Sequence, residues 1–183
     1  MRSYSVPAPE ELRNLQQHLV GGLARVGIRR GHAAHPGCAL CSLESSDGAF
    51  IEVYPDQSDL EFKFEVFPIG VSRGRTRPDD LNWTNVGFSA PVMVSLLETE
   101  EWLDPEIQCK DAIGENPILQ NQGIVGSAPP SAVAVCRHIG SVELVGANGR
   151  NIFIATAPFP LTLHVSGLAE DKDVQRKHYR VSA

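Results

Sequence analysis

The stretch from Ser131 to Val165 constrains the fold more than any other part of the sequence. It contains four short apolar runs, each bounded by Gly, Pro or Asn: Ala132–Cys136, Val142–Val145, Asn151–Thr156 and Leu161–Val165. Their β-branched and aromatic residues are typical of strands. Asn148-Gly149 can take the positive φ values of a tight hairpin turn between the second and third runs. Pro158 and Pro160 interrupt the chain before the fourth run, because proline has no N–H to give to a ladder. The stretch therefore predicts a four-stranded antiparallel meander.

An apolar pattern of helical spacing lies near the N-terminus. Its members are Leu12, Leu15, Leu19, Leu23 and Val26. They fall on one face of an α-helix, and Pro7 to Glu11 has the composition of a helix start. Gly21 and Gly22 each weaken such a helix by about 1 kcal/mol relative to alanine. The expected fold class is α+β: an N-terminal amphipathic helix, from Leu12 to Val26, packed on a mainly antiparallel β-sheet with a C-terminal meander.

Three further segments have the pattern of strands. Phe50–Tyr54 and Leu60–Phe67 predict a second hairpin, and the alternation of Val92, Val94 and Leu96 favours a strand over a helix from Pro91 to Leu97. A length of 183 residues fits a single globular domain, residues 1–183. The predicted shared core consists of Leu15, Leu19, Leu23, Phe62, Phe64, Ile152 and Ile154.

Composition and charge narrow the classes of function. The content of 42% hydrophobic and 21% charged residues is that of an ordinary soluble protein, and no apolar run is long enough to cross a bilayer. The N-terminus lacks the apolar core of a signal peptide, so a cytoplasmic protein without a membrane partner is expected. The net charge is −6, and residues 44–115 carry most of the negative charge. Because phosphate binding relies on clustered Lys and Arg, nucleic acid is not an expected partner.

The segment from His32 to Cys41 contains the residues with the most suggestive chemistry. Cys38 and Cys41 have the C-x2-C spacing of a zinc ligand pair, preceded by His32 and His35. A tetrahedral site needs a second ligand pair, which Cys136 and His138 would supply. The alternatives are a zinc site, a redox dithiol, or ordinary reduced cysteines in a loop or core. The last is the expectation, with no metal or other cofactor, and Pro36-Gly37 and Ser45–Gly48 favour a loop around the motif.

An acidic cluster and an amide-rich segment form the candidate binding surface. Glu98, Glu100 and Glu101 begin the cluster, which continues with Asp104, Glu106, Asp111 and Glu115. The segment that follows contains Asn116, Ile118, Leu119, Gln120, Asn121 and Gln122. Carboxylates attract a basic partner, while amides and apolar anchors make adaptable contacts. The surface therefore predicts a protein partner with a basic surface.

No motif of the sequence identifies a reaction. It has no nucleophile elbow, phosphate loop, dinucleotide fingerprint or H-E-x-x-H motif. Cys136 and His138 would share a face of a strand, but a nucleophile and base also need an orienting group. The leading hypothesis is a non-catalytic macromolecule-binding protein, of which a toxin-neutralising immunity protein is one example. The alternative is a metal- or thiol-dependent protein centred on Cys38 and Cys41.

Overall fold

A curled β-sheet and two single-turn helices form the part of the chain that the structure describes. The computed structural model describes residues 2–30, 37–60, 65–74, 78–103, 133–156 and 162–168. The helices are α1 (Glu10–Arg13) and α2 (Leu15–His18). The strands are β1 (Arg2–Ser5), β2 (Leu23–Arg30), β3 (Cys38–Ser45), β4 (Phe50–Pro55), β5 (Ser58–Asp59), β6 (Glu65–Val66), β7 (Ile69–Gly74), β8 (Asn82–Phe88), β9 (Met93–Leu103), β10 (Ala134–Val145), β11 (Asn151–Thr156) and β12 (Leu163–Ser166).

The large sheet consists of two strand groups. The first runs β8-β2-β3-β4-β7 and the second runs β12-β11-β10-β9, all with antiparallel neighbours. They join where β12 pairs with the start of β3, at Leu163 and Cys38. β1 adds a parallel pairing to β10, and β5 and β6 form a separate two-stranded sheet. The large sheet is therefore mostly antiparallel, as expected from the sequence.

The main core is shared by both strand groups and the two helices. Val26, Leu43 and Ile51 of the first group belong to the same buried cluster as Leu144 and Ile154 of the second. The prediction that Leu15, Leu19, Leu23, Ile152 and Ile154 are buried is confirmed, since each is 0% exposed. Phe62 and Phe64 lie outside the described residues. Burial of one apolar face from each group is what holds the curled sheet together.

The predicted α+β fold with a long N-terminal helix is wrong. Helical structure ends with α2 at His18, and Leu23–Arg30 is strand β2, which pairs with β3 and β8. Gly21-Gly22 lies between the end of α2 and the start of β2. Gly22 has a φ of 107°, a conformation that favours glycine. The pairing register of β2 shifts between Leu23 and Arg25. Because this irregularity adds a residue, Leu23 and Val26 are both buried although they are three apart, a spacing that imitates a helix.

The Asn148-Gly149 hairpin is confirmed. The Gly149 N–H donates to the Gly146 carbonyl, and the Gly146 N–H donates to the Arg150 carbonyl, each at 2.9 Å. Gly149 has a φ of 74°, and the Asn148 side chain accepts a hydrogen bond from the Arg150 N–H at 3.0 Å. The predicted four-stranded meander is reduced to three strands, β10, β11 and β12. The two runs Ala132–Cys136 and Val142–Val145 belong largely to the single strand β10, because residues 137–141 continue its pairing with β9.

A bulge at Gly140 divides β10 into two parts that bury opposite faces. The register with β9 shifts between Ile139 and Ser141. Val142 and Leu144 lie in the main core, whereas Ala134 and Cys136 form a second cluster with Val66. An extra residue in one strand reverses the alternation of its side chains. The bulge therefore directs Cys136 and His138 away from the main core.

The remaining strand predictions have mixed outcomes. Phe50–Tyr54 corresponds to β4, and the strand predicted from Pro91 to Leu97 is found as β9, which begins at Met93 and extends to Leu103. The predicted hairpin between Phe50–Tyr54 and Leu60–Phe67 is wrong, because β4 pairs with β3 and β7 while Glu65–Val66 pairs with Ser58–Asp59. Residues 61–64 lie outside the described residues. No helix within the described residues is long and apolar enough to cross a membrane.

Gly140→Ala should destabilise the protein. A Cβ at this position would overlap the side chain of Thr99, so the bulge would have to shift. We expect the free energy of unfolding to fall by about 1–3 kcal/mol, the usual cost of overpacking. Urea unfolding followed by tryptophan fluorescence measures the change.

Gly21→Ala is the matched control for this substitution. A Cβ at Gly21 meets nothing within 4 Å. Its free energy of unfolding should stay within about 1 kcal/mol of the parent value. Equal destabilisation of the two variants would contradict the steric role of Gly140.

Candidate functional site

Strand β9 carries the described part of the predicted acidic surface. It spans Met93–Leu103 and pairs along its length with β10. Glu98 and Glu100 are exposed, and Glu101 is half-buried. Within the described residues, the other edge of β9 has no strand partner. The acidic residues therefore lie on the outermost strand of the second group.

Two of these carboxylates already have basic neighbours on β10. The Glu100 Oε1 atom lies 2.6 Å from Nη2 of Arg137, directly across the ladder. The Glu101 Oε2 atom lies 3.3 Å from Nε2 of His138. Both partners of the first pair are about half exposed, so the ion pair contributes little to stability. The net negative charge of this surface is smaller than the sequence alone indicates, and Glu98 has no salt-bridge partner within the described chain.

The side chain of Gln16 binds the start of β9. Its Oε1 atom accepts a hydrogen bond from the Val94 N–H at 2.8 Å, and its Nε2 group donates to the Val92 carbonyl. One side-chain amide thus makes the two hydrogen bonds that a neighbouring strand would make at this step. Helix α2 places Gln16 there because Leu15 and Leu19 on either side of it are buried in the core. The backbone edge of β9 is therefore capped at its beginning.

The remaining predicted binding residues lie outside the described residues: Asn116, Ile118, Leu119, Gln120, Asn121 and Gln122. Their role stays a prediction.

Cys38 and Cys41 lie in strand β3 and not in a loop, so of the expected loop or core position the core is found. The loop predicted at Ser45–Gly48 is the turn that follows β3. Both thiols are buried in the main core. Burial raises the pKa of Cys38 to about 11 and that of Cys41 well above its ordinary value, with the nearby Cys38 adding to the latter shift. Because the thiolate is the metal ligand and the nucleophile, these shifts disfavour both kinds of chemistry at neutral pH. The run Cys41–Ser45 is buried throughout.

The second proposed ligand pair is in a different cluster. Cys136 belongs to the cluster with Val66 and Ala134, away from the main core that holds Cys38 and Cys41. Among the described residues, no group of three or more His, Cys, Asp or Glu side chains could hold a metal ion. His32 and His35 lie outside that part of the chain.

Cys136, His138 and Glu101 come together on one face of β9 and β10. Glu101 is opposite Cys136 in the ladder and contacts His138, so it occupies the position that an orienting group would need, which the sequence did not reveal. The other ring nitrogen of His138, Nδ1, is buried and has no hydrogen-bond partner in the described structure. Burial and the charge of Glu101 raise the pKa of Cys136. A fully buried, protonated thiol is a poor nucleophile, so the arrangement lacks an activated group.

An open cleft of about 610 Å³ lies between the two helices and strands β4 and β7. Its lining residues are Pro9, Glu10, Glu11, Asn14, His18, Tyr54, Asp56, Val71, Ser72 and Arg73. Arg73 Nη2 donates to Nδ1 of His18 at 3.0 Å. Since a guanidinium cannot accept a hydrogen bond, this contact requires a neutral His18 with its proton on Nε2. Four separate elements supply the cleft, and no local sequence pattern indicates it.

Comparisons with known proteins add no relative. No family model, no curated protein and no solved structure matches this chain.

The buried thiols should be unreactive in the folded protein. The test uses the Cys109→Ser variant, because Cys109 lies outside the described residues. At pH 8, Cys38, Cys41 and Cys136 should react with Ellman's reagent only as fast as the protein opens, and all three should react at once in urea. Burial and the raised pKa values of the thiols are the reason. Rapid labelling of a thiol in the native protein would support the thiol-dependent alternative.

Arg73→Met should raise the pKa of His18. Burial lowers this pKa below 6.5, Arg73 lowers it further, and Glu11 opposes both. A folded-state pKa below the unfolded value means that stability from this group is lost as the pH falls, and the substitution should lessen that loss. NMR titration of the His18 ring protons measures the shift, with Arg13→Met as the control. An unchanged His18 titration in Arg73→Met would contradict the contact between the two side chains.

Proposed function

We propose that this protein is a non-catalytic binding protein that binds a basic segment of a protein partner at the acidic edge of β9. The alternation of the exposed carboxylates Glu98 and Glu100 along an outermost strand carries the proposal. Side chains two apart on a strand point to the same face. A partner with two basic residues at the same spacing would meet both carboxylates at once.

The charge of the whole protein supports a basic partner. The net charge is −6, so a basic molecule is attracted from a distance and nucleic acid is repelled. The cleft between the two helices and strands β4 and β7 is also acidic. Among the described residues that line it, Glu10, Glu11 and Asp56 are acidic and one arginine, Arg73, is basic. Such complementarity chiefly raises the association rate and weakens as salt is added.

The thiol- or metal-dependent alternative has less support. It needs thiolates, whereas Cys38 and Cys41 lie in the core with raised pKa values. It also needs the second ligand pair nearby, whereas Cys136 lies in another cluster. Binding at the β9 surface needs no change of the structure, because Glu98 and Glu100 are already exposed.

The test uses a blocked peptide of defined charge. The lysine peptide has the sequence Thr-Lys-Thr-Lys-Thr-Val-Thr, and the glutamate peptide replaces both lysines by glutamate. The lysine peptide should bind, and its affinity should fall with added salt. Glu98→Lys should weaken binding about two- to tenfold, because one exposed ion pair contributes about 0.2–1 kcal/mol and the substitution replaces attraction by repulsion. Isothermal titration calorimetry gives the dissociation constants.

Asp79→Lys is the matched control for this charge reversal. Asp79 is exposed in the turn before β8, in the other strand group. It makes the same change in net charge at a different place, so binding should be nearly unchanged. Equal affinity for the lysine and glutamate peptides would overturn the proposed function.

A further inference from the structure

We propose that the basic segment binds as an added β-strand, through the backbone edge of β9 from Leu96 to Glu100. This inference rests on the proposed function and states how the partner is held. We term residues Leu96–Glu100 the open edge. The occupant is an extended segment of a partner protein. Its two basic residues are separated by one residue, so both basic side chains lie on the same face of the added strand.

The direction of the backbone groups follows from two hydrogen bonds at opposite ends of the β9–β10 ladder. The Val94 N–H donates to Gln16, so it points away from β10. The Arg137 carbonyl accepts from the Val6 N–H, so Arg137 turns its backbone groups away from β9, and Arg137 is opposite Glu100. In an antiparallel ladder, alternate residues point to alternate edges. The N–H and C=O groups of Leu96, Glu98 and Glu100 are therefore directed towards the open edge.

Gln16 determines where an added strand can begin. Its amide already pairs with Val92 and Val94, so pairing with a new strand starts at Leu96. From there to Glu100 the open edge presents three N–H and three C=O groups. Five residues extend about 17 Å, the length of an ordinary strand in a globular protein.

The side chains of the open edge select the occupant. Leu96 is half-buried and packs against the main core, so it favours an apolar residue opposite. Glu98 and Glu100 favour Lys or Arg opposite, since cross-strand pairs of opposite charge are favourable and like charges are not. A second copy of this chain would bring further glutamates to the same edge. The charge pattern therefore disfavours self-pairing and favours a basic partner.

Backbone methylation separates strand addition from simple charge attraction. In an antiparallel pairing that sets the two lysines of the lysine peptide opposite Glu98 and Glu100, the lysine N–H groups face β9. A peptide with N-methyl groups on both lysines keeps its charge but loses these hydrogen bonds. The matched control carries N-methyl groups on the two threonines that directly follow the lysines, whose N–H groups face away.

We expect the N-methyl-lysine peptide to bind at least tenfold more weakly than the N-methyl-threonine peptide. Amide exchange by NMR gives a second readout. With the lysine peptide at ten times its dissociation constant, the exchange of the Leu96, Glu98 and Glu100 amides should slow about tenfold by mass action. The Leu97 and Thr99 amides, which face β10, should change little.

The outcomes distinguish the two proposals. Equal binding of the two methylated peptides, or protection without this alternation, would overturn strand addition and leave the basic partner in place. Failure of the lysine peptide to bind would overturn both. A protein that elutes as a dimer in gel filtration, and becomes a monomer on Leu96→Lys substitution, would show that a second copy occupies the open edge and would overturn the basic occupant.

Discussion

The bulge at Gly140 is the constraint on which the arrangement of this protein depends. β10 pairs with β9 on one side and with β1 and β11 on the other, so three strands take their positions from it. Before the bulge, its side chains fill the small cluster with Val66, and after it they fill the main core. A strand without the bulge would bury only one of these two sets of side chains. The missing Cβ of Gly140 leaves the space that the Thr99 side chain occupies.

The sequence was informative where a structure is determined by neighbouring residues. The Asn148-Gly149 turn and the mostly antiparallel sheet were predictable, because turn chemistry and alternation act over a few positions. The helix from Leu12 to Val26 was predicted wrongly, because the register shift in β2 gives strand residues a helical spacing. Cys38 and Cys41 lie in a strand of the core and not in the loop that Pro36-Gly37 indicated, because β3 pairs with β2 and β4. Tertiary pairing decided both cases, and no local pattern contains it.

The candidate site was predictable only in part. Glu100 and Glu101 were identified by their charge, but Arg137 and His138 lie 37 residues later in the chain. The contact of Gln16 with Val92 and the cleft around His18 and Arg73 likewise join distant segments. A single sequence indicates which residues carry charge, and it does not indicate which charges meet. The acidic side chains of β9 therefore lie beside a backbone edge that has no strand partner within the described residues.

The order of the chain gives the Gln16 cap a consequence for protein synthesis. Gln16 precedes Val92 by 76 residues, so the ribosome releases the cap well before the strand that it covers. An edge that emerged without its cap could pair with another nascent chain on the same message. Here the amide is already available when β9 leaves the exit tunnel. Translation order thus supplies the cap before the edge that it covers.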